Sequence, residues 1–180
     1  MRCFTLILFA LLLTPAVAAE LLSMDVSKEG ARVFVAADVA VQATPDEVYA
    51  ALVDYNNFSG WSQRYRDTSY IDSAADGRPQ VRSNIQGCVL FFCRNVGRVV
   101  VLDLEPPHYI RATANPDLSD VKYGVEQWWI EVADKGSVVR YTHEVEFDFW
   151  VPPVVGVWAI RRSLQKDALK AAERIELMAN

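Results

Sequence analysis

The stretch Val139-Arg140-Tyr141-Thr142-His143-Glu144-Val145-Glu146-Phe147-Asp148-Phe149, with the chain that follows it, decides the fold. Val139, Tyr141, His143, Val145, Phe147 and Phe149 alternate with Arg140, Thr142, Glu144, Glu146 and Asp148. A period of two puts the first set on one face of a strand and the charged set on the other. Pro152-Pro153 then opens a helix. In it Val157, Ile160, Leu164, Ala168, Ala171, Ile175 and Met178 recur at three- and four-residue steps, while Arg161, Gln165, Lys166, Lys170, Glu173 and Arg174 lie mostly off that stripe. The two faces are predicted to oppose each other.

Working back from that strand, residues 33–41 alternate in the same way through Val33, Val35, Ala37, Val39 and Val41. Thr44-Pro45-Asp46-Glu47 is a capping box with Pro at the first helical position, and the helix it starts buries Val48, Ala51 and Leu52. A second short helix or turn runs through Tyr55, Phe58 and Trp61. Strands are predicted over 82–88, 94–104, 109–114 and 123–132, separated by Asp76-Gly77, Glu105-Pro106-Pro107 and Asp134-Lys135-Gly136-Ser137. Consecutive hairpins make the sheet antiparallel, and only the last helix is large enough to cover one of its faces. The expected fold is therefore α+β: a curved antiparallel sheet of about six to seven strands around a long C-terminal helix, with two short helices after the first strand, the helix-grip arrangement.

The N-terminus reads as an address. Arg2 precedes the apolar run from Phe4 to Leu13, Pro15 follows, and Ala16-Val17-Ala18 is a small-x-small cleavage site. The run is too short to cross a bilayer, which needs about 20 apolar residues. Residues 1–18 are expected to be a secretory signal peptide and 19–180 one exported, periplasmic or secreted domain. An uncleaved anchor or a buried first helix is the alternative.

Cysteine usage agrees with export. Cys88 and Cys93 form an even pair past the signal segment. If Leu90-Phe91 is a two-residue loop, Val89 faces Phe92, Cys88 faces Cys93, Ile85 faces Val96 and Val81 faces Val100, so the two sulfurs lie within disulfide reach. Val89, Leu90, Phe91 and Phe92 then form an apolar finger that caps a cavity, touches a membrane transiently, meets a partner or is buried by neighbouring loops. With two His in the chain and no second Cys pair, no zinc site is expected, and no cofactor. The formal charge of −5 and the lack of a Lys/Arg run argue against nucleic acid as a partner.

The segment Leu52-Val53-Asp54-Tyr55-Asn56-Asn57-Phe58-Ser59-Gly60-Trp61 resembles the L-x-D-y-x-x-f-x-x-W signature of the START-like (SRPBCC) superfamily, which includes polyketide cyclases, lipid-transfer domains and a coenzyme Q-binding branch. Pro106-Pro107 between two strands, the Gly124-x-x-x-Trp128-x-Ile130 strand, and the run from Phe147 to Pro153 resemble it too. The resemblance implies a deep apolar cavity between sheet and helix that holds sterols, quinones, polyketides or lipids. The signal peptide and the Cys pair depart from the coenzyme Q-binding branch, so the ligand is not carried over.

The expected function is binding or transport of a hydrophobic small molecule of lipid, quinone, polyketide or isoprenoid type. Candidate cavity residues are Tyr55, Phe58, Trp61, Trp128, Tyr141, His143, Val145, Phe147, Trp158, Leu164, Ala168 and Ala171. Each aromatic is either pocket wall or plain core. Ala168 and Ala171 either leave room for a ligand or permit close packing. His143 is either a polar anchor or acid–base group, or a core histidine satisfied by a neighbour. No nucleophile–base pair, phosphate loop or metalloprotease motif is present in the sequence. The alternatives are a cyclase, aromatase or isomerase working through His143 or Tyr141, and an interaction module with a filled core.

Overall fold

The structure is a computed structural model and describes residues 19–58, 64–89, 92–149 and 156–179. Eight strands follow in the order β1 (Glu20–Glu29), β2 (Arg32–Val41), β3 (Tyr65–Ile71), β4 (Gln80–Val89), β5 (Phe92–Glu105), β6 (Tyr109–Ala114), β7 (Val121–Ala133) and β8 (Gly136–Phe147). The helices are α1 (Pro45–Val53), between β2 and β3, and α2 (Val157–Ala179), after β8. All pairings are antiparallel, in the spatial order β1-β2-β8-β7-β6-β5-β4-β3. An open antiparallel sheet with a long C-terminal helix is the helix-grip fold.

Eight strands exceed the six or seven expected: β3 is not among the strand ranges read from the sequence, and neither is β1. Its sequence ELLSMDVSKE does not alternate cleanly, its register shifts between Leu21 and Ser23, and only Met24 and Val26 are buried. As an edge strand it needs few apolar residues, and Asp25, Lys28 and Glu29 protect its outer margin. Elsewhere local chemistry predicts geometry well. Thr44 accepts from the Glu47 backbone amide at 3.4 Å and Glu47 reaches back to the Thr44 amide at 2.8 Å. Of the second short helix, the described part is a 3₁₀ turn, Tyr55–Asn57. The hairpin register is also as expected: Cys88 faces Cys93, Ile85 faces Val96 and Val81 faces Val100. The cysteines are joined.

The core divides along the inner face. Val39, Val41, Val48, Leu52, Ile110, Ile130, Ala172 and Ile175 bring α1 and the C-terminal half of α2 onto one end of the sheet. Met24, Val26, Val33, Val35 and Val145 form a second cluster under Val157, Ile160, Leu164 and Ala168. Tyr55, Phe58, Val81, Val100 and Leu102 form a third.

The α2 stripe corrects the sequence reading. Ala172, not Ala171, is buried, and Met178 is about half exposed, at 52%. The inward set is 168, 172, 175 and 179 rather than 168, 171, 175 and 178. Both satisfy helical spacing; the position of α1 and β1 selects between them. Glu176 fixes this end, accepting from the backbone amides of Ala19 and Gln42. Near its other end α2 is tied to the start of β3, because Arg64 donates to Ser163 Oγ at 2.7 Å and pairs with Asp167. Among the described residues no helix is long and apolar enough to cross a membrane.

Candidate functional site

Between its two attachments α2 runs chiefly against β1, β2 and α1, with a lesser contact to β4. Trp128 on β7 and Tyr141 and His143 on β8 face inward yet stay only partly buried. The three form a contiguous row: the Trp128 and Tyr141 rings are 5.3 Å apart, and those of Tyr141 and His143 are 6.3 Å apart. Leu164 and Ala168 on α2, with Phe147 on β8, are likewise partly buried against the second cluster. These partly buried side chains are the candidate aromatic and apolar wall of a cleft between α2 and the sheet.

At its floor lies a charged pair that the sequence reading missed. Arg98 on β5 donates to Glu126 Oε2 at 2.8 Å, and their side chains are only 8% and 6% exposed. β6 separates β5 from β7. Its inward residues here are Ala112 and Ala114, small enough for the guanidinium to pass over. Arg98 also donates to the Tyr65 hydroxyl at 3.1 Å, and the Tyr141 hydroxyl donates to Glu126 Oε1 at 3.2 Å. His143 Nε2 stands 3.7 Å from the same oxygen. Arg98 Nε and Ser83 Oγ are buried without a hydrogen-bond partner among the described residues.

Burial and charge set the protonation states. Burial alone raises the Glu126 carboxyl, but the Arg98 guanidinium overcomes it and holds the group down at about 2. Burial pushes the Tyr65 phenol up to about 12 and Tyr141 well above its usual range, with Glu126 adding to both. His143 is lowered, first by burial and also by Arg98, against the pull of Glu126. At neutral pH the floor therefore carries one compensated ion pair, two neutral phenols and a neutral imidazole. It offers hydrogen bonds without net charge.

The remaining candidates fall elsewhere. Tyr55 and Phe58 are 1% and 3% exposed and pack on each other and on Val81, Val100 and Leu102, so they are core beneath the site. Val145 is buried in the second cluster. Trp61 lies outside the described residues. Trp158 does not line the cleft: it is 66% exposed, with Arg162 over its ring at 5.7 Å. Helical spacing placed it one residue from Val157, which does face in. Ala171 sits at the edge of the stripe. A hollow of about 300 Å³ is lined by His143 together with Phe34, Thr142 and Glu144, and another of about 390 Å³ lies beside Gln42 and Glu176; neither is lined by Trp128, Tyr141, Arg98 or Glu126.

A signal for the missed pair was present. Val96, Val100 and Leu102 set the inward phase of β5, and Arg98 falls in it. Gly124, Trp128 and Ile130 set that of β7, and Glu126 falls in it. Two opposite charges at inward positions of apolar strands one strand apart mark a buried pair.

Residues 32–176 match the family model for polyketide cyclase/dehydrase and lipid transport. The chain belongs to this family. Solved structures with the same fold include a START superfamily protein from Mycobacterium smegmatis, at 15% identity over 83% of this chain and 99% of that one, TM-score 0.63. The Zhui aromatase/cyclase from Streptomyces sp. R1128 is similar at 14% identity over 82% and 93%, TM-score 0.62. A STAR-related lipid transfer protein from Xanthomonas axonopodis is similar at 13% identity over 84% and 98%, TM-score 0.63. At these identities the likeness is one of fold. No curated protein matches the chain.

Proposed function

We propose that this family member binds or carries a hydrophobic small molecule of lipid, quinone, polyketide or isoprenoid type in the cleft between α2 and the inner face of the sheet. The observation that carries this is the Arg98–Glu126 pair, buried under the partly exposed row Trp128, Tyr141 and His143. A buried ion pair adds little to stability against an apolar replacement, because desolvation offsets the attraction. Its place beneath an open aromatic wall makes it an anchor for the polar end of an otherwise apolar guest. Most of the affinity comes from apolar burial, about 25 cal/mol per Å² before association costs. A floor without net charge favours a carbonyl, hydroxyl or phenol over a carboxylate or phosphate. The exposure of the wall argues against a core filled by its own side chains. Residues 1–18 are proposed to direct the following domain out of the cytoplasm, where the Cys88–Cys93 bond is maintained.

A second reading rests on His143. As a neutral imidazole beside the Tyr141 phenol it is competent to take a proton from a bound polyketide-like substrate, which makes cyclase, aromatase or isomerase chemistry the alternative.

Native mass spectrometry of the protein purified from its own host tests the binding function. A lipophilic adduct that leaves on denaturation, and whose extract displaces an apolar fluorescent probe, is the expected result. A bare protein mass, with no probe uptake by protein stripped with organic solvent and refolded or by the untreated protein, would overturn it.

A further inference from the structure

We propose that hydrolysis of the Ala18–Ala19 peptide bond installs an ion pair: the new α-ammonium group of Ala19 binds the Glu176 carboxylate and clamps the start of β1 to the end of α2. The processing step rests on the reading of residues 1–18 as a leader removed during export. The pairing rests on residues of the folded domain. The Ala19 backbone nitrogen lies 3.2 Å from Glu176 Oε2, and Glu176 Oε1 accepts from the Gln42 amide, just past β2, at 2.8 Å.

Three observations favour a positive charge at this place. Glu176 stands in the last turn of α2, where the carbonyl end of the helix dipole is negative, so a carboxylate there is disfavoured unless a cation answers it. That turn carries no basic residue of its own. The hollow beside it is lined by the acids Glu20, Asp134 and Glu176 and by the single cation Lys135, so its charged lining is acidic.

Cleavage changes the chemistry of one atom already in position. In the uncut chain the Ala19 nitrogen is a neutral amide. Water breaks the carbon–nitrogen bond; its oxygen goes to Ala18, which leaves as a carboxylate, and both its hydrogens go to the Ala19 nitrogen, which becomes an ammonium. An α-amino group keeps that charge at neutral pH, its ordinary pKa being about 8. A hydrogen bond charged at both ends is roughly twice as strong as a neutral one.

The clamp acts on the edge of the sheet. β1 pairs with β2 alone, and its register shifts between Leu21 and Ser23. α2 packs chiefly on β1 and β2, so a tie between Ala19 and Glu176 holds the edge strand against the helix that grips the sheet. Release of the leader and tightening of the grip then become one event.

The two steps are tested separately. N-terminal sequencing of the exported protein should find Ala19 as the first residue. For the pairing, chains starting at Ala19 are made with a free amino group, with an acetyl group on it, and with Gly-Ser placed ahead of it. The free form should melt about 3–6 °C above the other two. Glu176→Gln should bring the free form down to their level and leave them nearly unchanged. Glu173→Gln, at an exposed acid about one turn earlier, should preserve the difference. At pH 7 the Ala19 amino group should react with an acylating reagent roughly three-fold more slowly in wild type than in Glu176→Gln, because pairing holds the proton on it. A different first residue on the exported chain would overturn the processing step and with it the proposal. Equal melting of the three forms, Glu176→Gln lowering all three alike, or equal acylation rates would overturn the pairing while leaving the leader in place.

Discussion

Arg98 and Glu126 meet at 2.8 Å across an intervening strand, both nearly excluded from water. Their coupling makes single and double substitutions diverge. Arg98→Met leaves a buried carboxylate uncompensated and should lower unfolding stability by about 3–5 kcal/mol in urea denaturation. Arg98→Met combined with Glu126→Leu should return to within about 2 kcal/mol of wild type, because apolar pairs replace buried ion pairs at little cost. If the pair anchors a guest, the double variant should fold and still fail to bind it. A stable double variant that retained full ligand affinity would remove the pair from the site.

The cleft predicts a different response at Ala168. This residue is only partly buried, and a bulky replacement points toward the space below α2. Ala168→Trp should block uptake of an apolar probe while shifting the melting temperature by only a few degrees. In a filled core the same change would overpack, costing typically about 1–3 kcal/mol. Ala171→Trp, at the edge of the stripe, should affect uptake less.

Acidification should act through His143 before Glu126. The folded-state value of His143 lies below its ordinary 6.5, so the unfolded chain takes up this proton first as pH falls. Its contribution to stability is full above pH 6.5 and is lost as pH falls toward the folded value. Glu126, held near 2 against an ordinary 4.5, contributes above pH 4.5 and loses its contribution between there and about 2. Melting temperatures from pH 7.5 to 5 should therefore fall more steeply for wild type than for His143→Gln. Equal slopes would show that His143 titrates alike in both states.

Gly136 provides a test unconnected to function. Its φ is +100°, and an added Cβ would stand 2.2 Å from the Val41 carbonyl oxygen. Gly136→Ala should cost more than about 1 kcal/mol, from strain and from the enforced separation of β2 and the β7–β8 turn. Probe binding per folded molecule should not change.

The cysteine pair should show two protected sulfurs on alkylation without reductant and a gain of two hydrogens with it. Replacing both by Ser should cost about 2 kcal/mol or less, since the ring is short. Loss of probe uptake would then mean that the hairpin end shapes the cleft mouth.

The sequence by itself determined the grip fold, the cap of α1, the turn positions and the opposition of Cys88 to Cys93. These follow from periods of two and 3.6 and from turn chemistry, which act between residues close along the chain. It also identified Tyr141 and His143 as inward, because one strand's alternation settles its own faces. Only the tertiary structure decided how those faces are used. It buried Tyr55 and Phe58, turned Trp158 outward, chose Ala172 over Ala171, and carried Arg98 across two alanines to Glu126. Each of these depends on which distant surface a side chain meets. Spacing along one element is silent on that, because a helical stripe that fits two phases, or a charge at an inward position, acquires its meaning from the element packed against it.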